Sequence, residues 1–175
     1  VQTCALPICA TDVNFRNLVD AAGAPIDETW RVARREALLR LFGELRPDAL
    51  ITELFPFGRR MMEFELLPLL DAARAAKPRP LILASLRDIL APASSPAKAA
   101  ATVERVRRDY DHILVHGDAN FLPLEASFPE AVAVADRLVY TGYVRAPLGP
   151  TPPPGYGDGE VIVSVGGGEI GRAHV

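Results

Sequence analysis

Four short apolar runs recur along the chain, and each is separated from the next by a stretch with helical character. They are Ala49–Thr52, Leu81–Ala84, His112–Val115 and Leu138–Thr141. Runs of this length, bounded by Pro, Gly and charged residues, read as buried strands. Strands that alternate with helices predict a parallel sheet covered by helices on both faces, an α/β, Rossmann-like fold. At 175 residues, with 49% apolar and 23% charged residues, the chain can bury a substantial core.

The helical stretches differ in clarity. From Glu28 to Leu45, apolar residues recur every three or four positions, with Asp27 placed to cap the start and Pro47 to end it. Its arginines (Arg31, Arg34, Arg35 and Arg40) read as a solvated face. Met61–Ala76 predicts a helix kinked or restarted at Pro68. Ala97–Asp109 predicts a helix with Val103 and Val106 inward, and Glu130–Ala135 a shorter helical piece. Asp12–Ala22 reads as a short, weakly periodic helix stopped by Gly23.

Composition limits the function. A net charge of −3 argues against a nucleic-acid partner. No apolar run has the length of a membrane span. Cysteine is too scarce for a thiolate metal site or a disulfide framework, and no metal is expected. Richness in Pro and Ala suggests a GC-rich bacterial genome.

The two ends form a matched pair. Val1–Ile8 and Ile170–Val175 are translations of one common sequencing adapter in its two orientations. The expectation is that residues 1–8 and 170–175 are scars to be left out of fold reasoning. The natural part would then be an internal fragment of a longer protein. Within it, 9–146 would be a Rossmann-like domain lacking its first strand. Residues 147–159, with five prolines and four glycines, would be a linker. Residues 160–169 would open a second Rossmann-like domain with the strand Val161–Val165.

Ligand groups in parallel sheets collect on the loops after strand ends. After the first visible strand come Glu53, Phe57, Gly58, Arg59 and Arg60. Gly58 permits a tight turn. The two arginines, where a helix begins, suit a phosphate or diphosphate, or else pair with Glu63 and Glu65. Ser85, Arg87 and Asp88 follow the second strand, either as ligand contacts or as a salt bridge with a helix cap. His116, followed by Gly117 and Asp118, is either a general base or a turn histidine. His112, at the strand start, reads as structural. The run Gly166, Gly167, Gly168 between a strand and an expected helix can cradle phosphate.

Taken together, Glu53-Leu-Phe-Pro-Phe-Gly-Arg-Arg60, Phe64-Glu-Leu-Leu-Pro-Leu-Leu70, Arg87-Asp-Ile-Leu90, Leu114-Val-His-Gly-Asp118, Tyr140-Thr-Gly-Tyr-Val144 and Val163-Ser-Val-Gly-Gly-Gly168 resemble predicted bacterial glycosyltransferases related to glycosyltransferase family 28. The resemblance implies a GT-B architecture of two Rossmann-like domains across a cleft. The N-terminal one shapes the acceptor site, and the C-terminal one holds a nucleotide-sugar donor. It implies that Gly166–Gly168 match the first donor-side loop, that the 53–60 loop faces the cleft, and that no bound metal or cofactor is needed. The implied partners are a nucleotide-sugar donor and an unspecified acceptor. The implied setting is cytoplasmic, with peripheral membrane association left open. The fragment alone is expected to be inactive. A sugar-nucleotide epimerase of the same fold, a non-catalytic sugar- or nucleotide-binding module, and a receiver-like α/β domain are the alternatives.

Overall fold

The computed structural model describes residues 8–10, 17–91 and 93–144. The chain divides into two units, Val1–Val144 and Arg145–Val175. The linker at 147–159, the strand at Val161–Val165 and Gly166–Gly168 lie outside the described residues.

A two-residue ladder opens the described part, with β1 (Cys9–Ala10) antiparallel to β2 (Leu18–Val19). This corrects the helix expected over Asp12–Ala22 as far as its described residues go. Asp20 is the physical reason: its carboxylate accepts the N–H groups of Ala22 and Ala24, and the chain turns at Gly23 with φ +81°. An aspartate bonded to its own following backbone competes with a helix.

Helix α1 spans Glu28–Leu45, as the periodicity predicts. The Asp27 carboxylate accepts the Trp30 N–H at 2.7 Å, satisfying one of the free donors of the first turn. Arg46 ends it in the left-handed region (φ 43°), with its N–H on Phe42 O. The helix is not a plain solvated rod, however. Arg34 reaches across to Glu65, which is only 4% exposed, and Arg31 stacks on the Phe64 ring. Two of its arginines thus tie α1 to the next helix.

The main sheet comprises β3 (Ala49–Glu53), β4 (Leu81–Arg87), β5 (His112–His116) and β6 (Leu138–Tyr140), all parallel and in sequence order. Helix α2 (Glu63–Ala75) joins β3 to β4, and α3 (Pro96–Asp109) joins β4 to β5. A 3-10 run, Pro129–Arg137, leads into β6. This is the expected α/β class, a Rossmann-like parallel sheet flanked by helices. Strand β4 runs three residues further than its apolar core suggested, because Ser85–Arg87 continue the ladder with β5. Helix α2 passes through Pro68 without a restart.

Because the strands add in one direction, right-handed crossovers bring their connections to one face. The core follows that geometry. Ile82, Ala84, Leu86, Ile113 and Val115 from the strands meet Leu70 and Ala73 of α2, Ala99 and Val106 of α3, and Ala131 and Val134 of the 3-10 run. The register places the alternate residues (Ile51, Glu53, Leu83, Ser85, Arg87, Leu114, His116 and Val139) on the opposite face. That face is the more open, with Ile51 56% and Val139 41% exposed.

Candidate functional site at the carboxyl edge of the sheet

The loop after β3 is anchored from below. The Thr52 hydroxyl donates to Phe55 O at 3.0 Å and lies 2.8 Å from the hydroxyl of fully buried Tyr110. Phe55 is wholly buried, and Leu54 adopts φ +63°. The backbone turns back at Gly58, whose N–H donates to Leu54 O at 2.8 Å. A Cβ on Gly58 would lie 2.9 Å from the Leu54 side chain, so a bare backbone is needed there. Phe57 leans edge-on against Phe128, with ring centroids 5.2 Å apart.

The paired arginines part company. Arg59, at φ 53°, turns back to Glu53 at 3.3 Å, with both side chains substantially exposed. Arg60 points the other way and donates to Lys98 O at 2.8 Å and to Thr102 Oγ1 at 3.0 Å. Neither ion-pairs with Glu63 or Glu65, the alternative raised by their spacing. Arg60 is committed to holding α3. The Arg59–Glu53 pair is a surface contact worth no more than about 1 kcal/mol, so its guanidinium is available to a stronger anionic partner. The helix start itself is less suited to an anion than its position suggested. A 3-10 turn, Arg60–Met62, precedes α2, and Glu63 and Glu65 occupy the first turn.

Arg59 instead finds Arg87 across a groove. The groove, about 370 Å³ in volume, is lined by Leu54, Arg59, Met61, Arg87, Ile89, Leu90 and Ala91. Apart from these two arginines its lining residues are apolar. Phe57 and Arg60 line a neighbouring depression of about 210 Å³ with Ser94, Lys98 and Thr102.

His116 occupies the last position of β5, opposite Arg87 and two residue pairs beyond Ser85 in the ladder. Its Nε2 is 2.8 Å from Ser85 Oγ and its Nδ1 is 2.8 Å from Thr141 Oγ1. Two adjacent strands, β4 and β5, and the residue directly after β6 thus contribute to one hydrogen-bonded row. The next residue, Gly117, is buried against Asp88. Asp88 and Asp118 both act on Tyr143. Desolvation, followed by the charge and hydrogen bond of Asp88 and the charge of Asp118, pushes the Tyr143 phenol above its ordinary value.

The structure therefore brings Arg59 and Arg87 together at one groove, with Glu53 paired to Arg59 beside it, and sets Ser85, Asp88, His116 and Asp118 along one edge. It sends Phe57 and Arg60 into structural contacts. Met61, Thr141 and Tyr143 escaped sequence reading. The position of Thr141 directly after a strand end was the one available signal for it. His112 is exposed at the opposite end of its strand. Among the described residues no cluster of three or more His, Cys, Asp or Glu could hold a metal ion, and no helix is long and apolar enough to cross a membrane. Comparison with protein-family models, with curated proteins and with solved structures finds no match for this chain.

Proposed function

We propose that this chain supplies the acceptor-side half of a GT-B glycosyltransferase related to family 28, which moves a sugar from a nucleotide-sugar donor to an acceptor hydroxyl. The observation that carries this reading is the convergence of Arg59 and Arg87 on one groove, beside the His116 row. Guanidiniums suit a diphosphate, offering paired donors to its oxygens as negative charge builds on the leaving group. A histidine at a strand end suits removal of the acceptor proton.

On this reading the donor side, including the role the resemblance gives Gly166, Gly167 and Gly168, belongs to a second domain. The 175-residue chain then binds without completing transfer. The reaction is cytoplasmic, where nucleotide sugars are supplied, and needs neither metal nor cofactor.

The test is an amide NMR titration of the chain with UDP-glucose, UDP-N-acetylglucosamine and GDP-mannose. Shifts gathered at 53–59, 87–91 and 116–118 are the expected result. Spectra unchanged by all three sugars at millimolar concentration would contradict the reading.

A further inference from the structure

The row of polar groups along the open sheet face has a direction, and the hydrogen positions follow from it. Thr141 Oγ1 lies 3.1 Å from Gly142 O and 3.3 Å from Val115 O. Both carbonyls only accept, so the single hydroxyl proton of Thr141 lies toward one of them. Val115 O already receives Thr141 N–H at 2.9 Å and Gly117 N–H at 3.0 Å, which leaves Gly142 O as the better served by it. The lone pairs of Thr141 Oγ1 then face His116 Nδ1 at 2.8 Å, and Nδ1 must carry a proton. In a neutral imidazole Nε2 is then the acceptor. Ser85, 2.8 Å away, donates to it.

The chain of hydrogen bonds runs from Ser85 to His116 to Thr141 to carbonyl. Ser85 stands at its outer end, half-buried, and among the described residues no donor occupies its oxygen lone pairs. It shares the sheet face of exposed Ile51.

We propose that Ser85 is the substrate-facing end of a proton relay, Ser85–His116–Thr141, which takes the proton of an acceptor hydroxyl; this rests on the glycosyltransferase reading. As the acceptor oxygen bonds to the anomeric carbon of the donor, the bond from that carbon to the diphosphate oxygen breaks. The diphosphate leaves with the electron pair. The acceptor proton passes to Ser85 Oγ while the proton of Ser85 passes to His116 Nε2. The resulting imidazolium keeps its Nδ1–H on Thr141. Ser85 is the catalytic residue that touches substrate, and Thr141 is a positioning residue that fixes the tautomer.

The experiment uses the full 175-residue chain with ¹⁵N-labelled imidazoles. Long-range proton–nitrogen spectra report which ring nitrogen carries the proton. Wild-type His116 is expected in the Nδ1–H form. Thr141→Val is expected to shift the population toward Nε2–H. Methyl glucoside, methyl galactoside and methyl N-acetylglucosaminide are then added. At least one should move the His116 Nε2 signal in wild type and leave it in place in Ser85→Ala. A wild-type Nε2–H tautomer, which needs no variant to detect, reverses the row and overturns the proposal. So does a His116 response to sugar that survives unchanged in Ser85→Ala, or no response to any of the three. If any of these failures occurs while UDP-sugars still shift Arg59 and Arg87, the relay alone is lost and the glycosyltransferase reading stands. If UDP-sugars shift nothing, the reading itself is lost.

Discussion

Gly117 packs so closely against Asp88 that an added Cβ would lie 2.6 Å from Asp88 Cβ. No real pair of side chains approaches that closely, so one of the two loops must move. We expect Gly117→Ala to cost about 1–3 kcal/mol, the usual range for overpacking. It should also push Asp88 away from Tyr143. The phenol of Tyr143, now held up in part by Asp88, should then titrate at lower pH. Chemical denaturation and a ring-labelled tyrosine titration check both parts.

Arg34 and Glu65 join α1 to α2 across a gap of thirty-one residues. Glu65 is 4% exposed and Arg34 20%, so solvent screens the pair little. Removing the cation strands a buried carboxylate, which typically costs about 3–5 kcal/mol. Arg34→Met should therefore destabilise strongly. Arg34→Met with Glu65→Leu should recover much of the loss, because the buried Glu65 carboxylate is no longer left unpaired. A double-mutant cycle by urea denaturation measures the difference.

Tyr110 supports the site from the core. Burial pushes its phenol up, against the hydrogen bond to Thr52. Thr52 spends its own proton on Phe55 O, so Tyr110 is the donor in their pair. Tyr110→Phe leaves Thr52 Oγ1 without that donor and should cost about 1 kcal/mol. Because Thr52 sets the start of the 54–59 loop, amide exchange there should quicken more than in β5.

Asp111 carries an acid-sensitive contact. Burial pushes its carboxyl up, but the hydrogen bonds from Arg79 and the Ile82 N–H, with the charge of Arg79, outweigh burial and hold it below the usual range. A carboxyl depressed in the folded state stabilises above its unfolded value, about 3.9, and the benefit fades as pH falls through the folded value. Asp111→Asn should thus be about 1 kcal/mol less stable than wild type near neutrality. The gap should stay constant near neutrality, begin to narrow as the pH approaches the unfolded value of about 3.9, and close only below the depressed folded value. Thermal unfolding across that range checks it.

The legible parts of this molecule were the local ones. Asp27 capping α1, the stop at Pro47 and the alternation of strands with helices depend on residues near in sequence, where spacing reports geometry directly. Asp12–Ala22 misled because the Asp20 side chain, rather than apolar spacing, decides that turn. The site was legible by position but not by partner. Arg59 and Arg60 look equivalent in sequence, yet a left-handed φ at Arg59 turns one to the groove and the other to α3. The Ser85–His116–Thr141 row depends on the register of three strands, which no single run encodes. Arg34–Glu65 depends on how two helices meet.

The measurement that bears most directly on the central claim is UDP-glucose binding to Arg59→Ala/Arg87→Ala, set beside wild type at matched thermal stability. If the two guanidiniums meet the diphosphate, each charge-assisted contact contributes about 1.5–3 kcal/mol, and the double variant should bind at least about a hundredfold more weakly. The weakening should shrink as salt is raised. Equal affinity in the double variant and the wild type would contradict the claim that this groove reads a diphosphate.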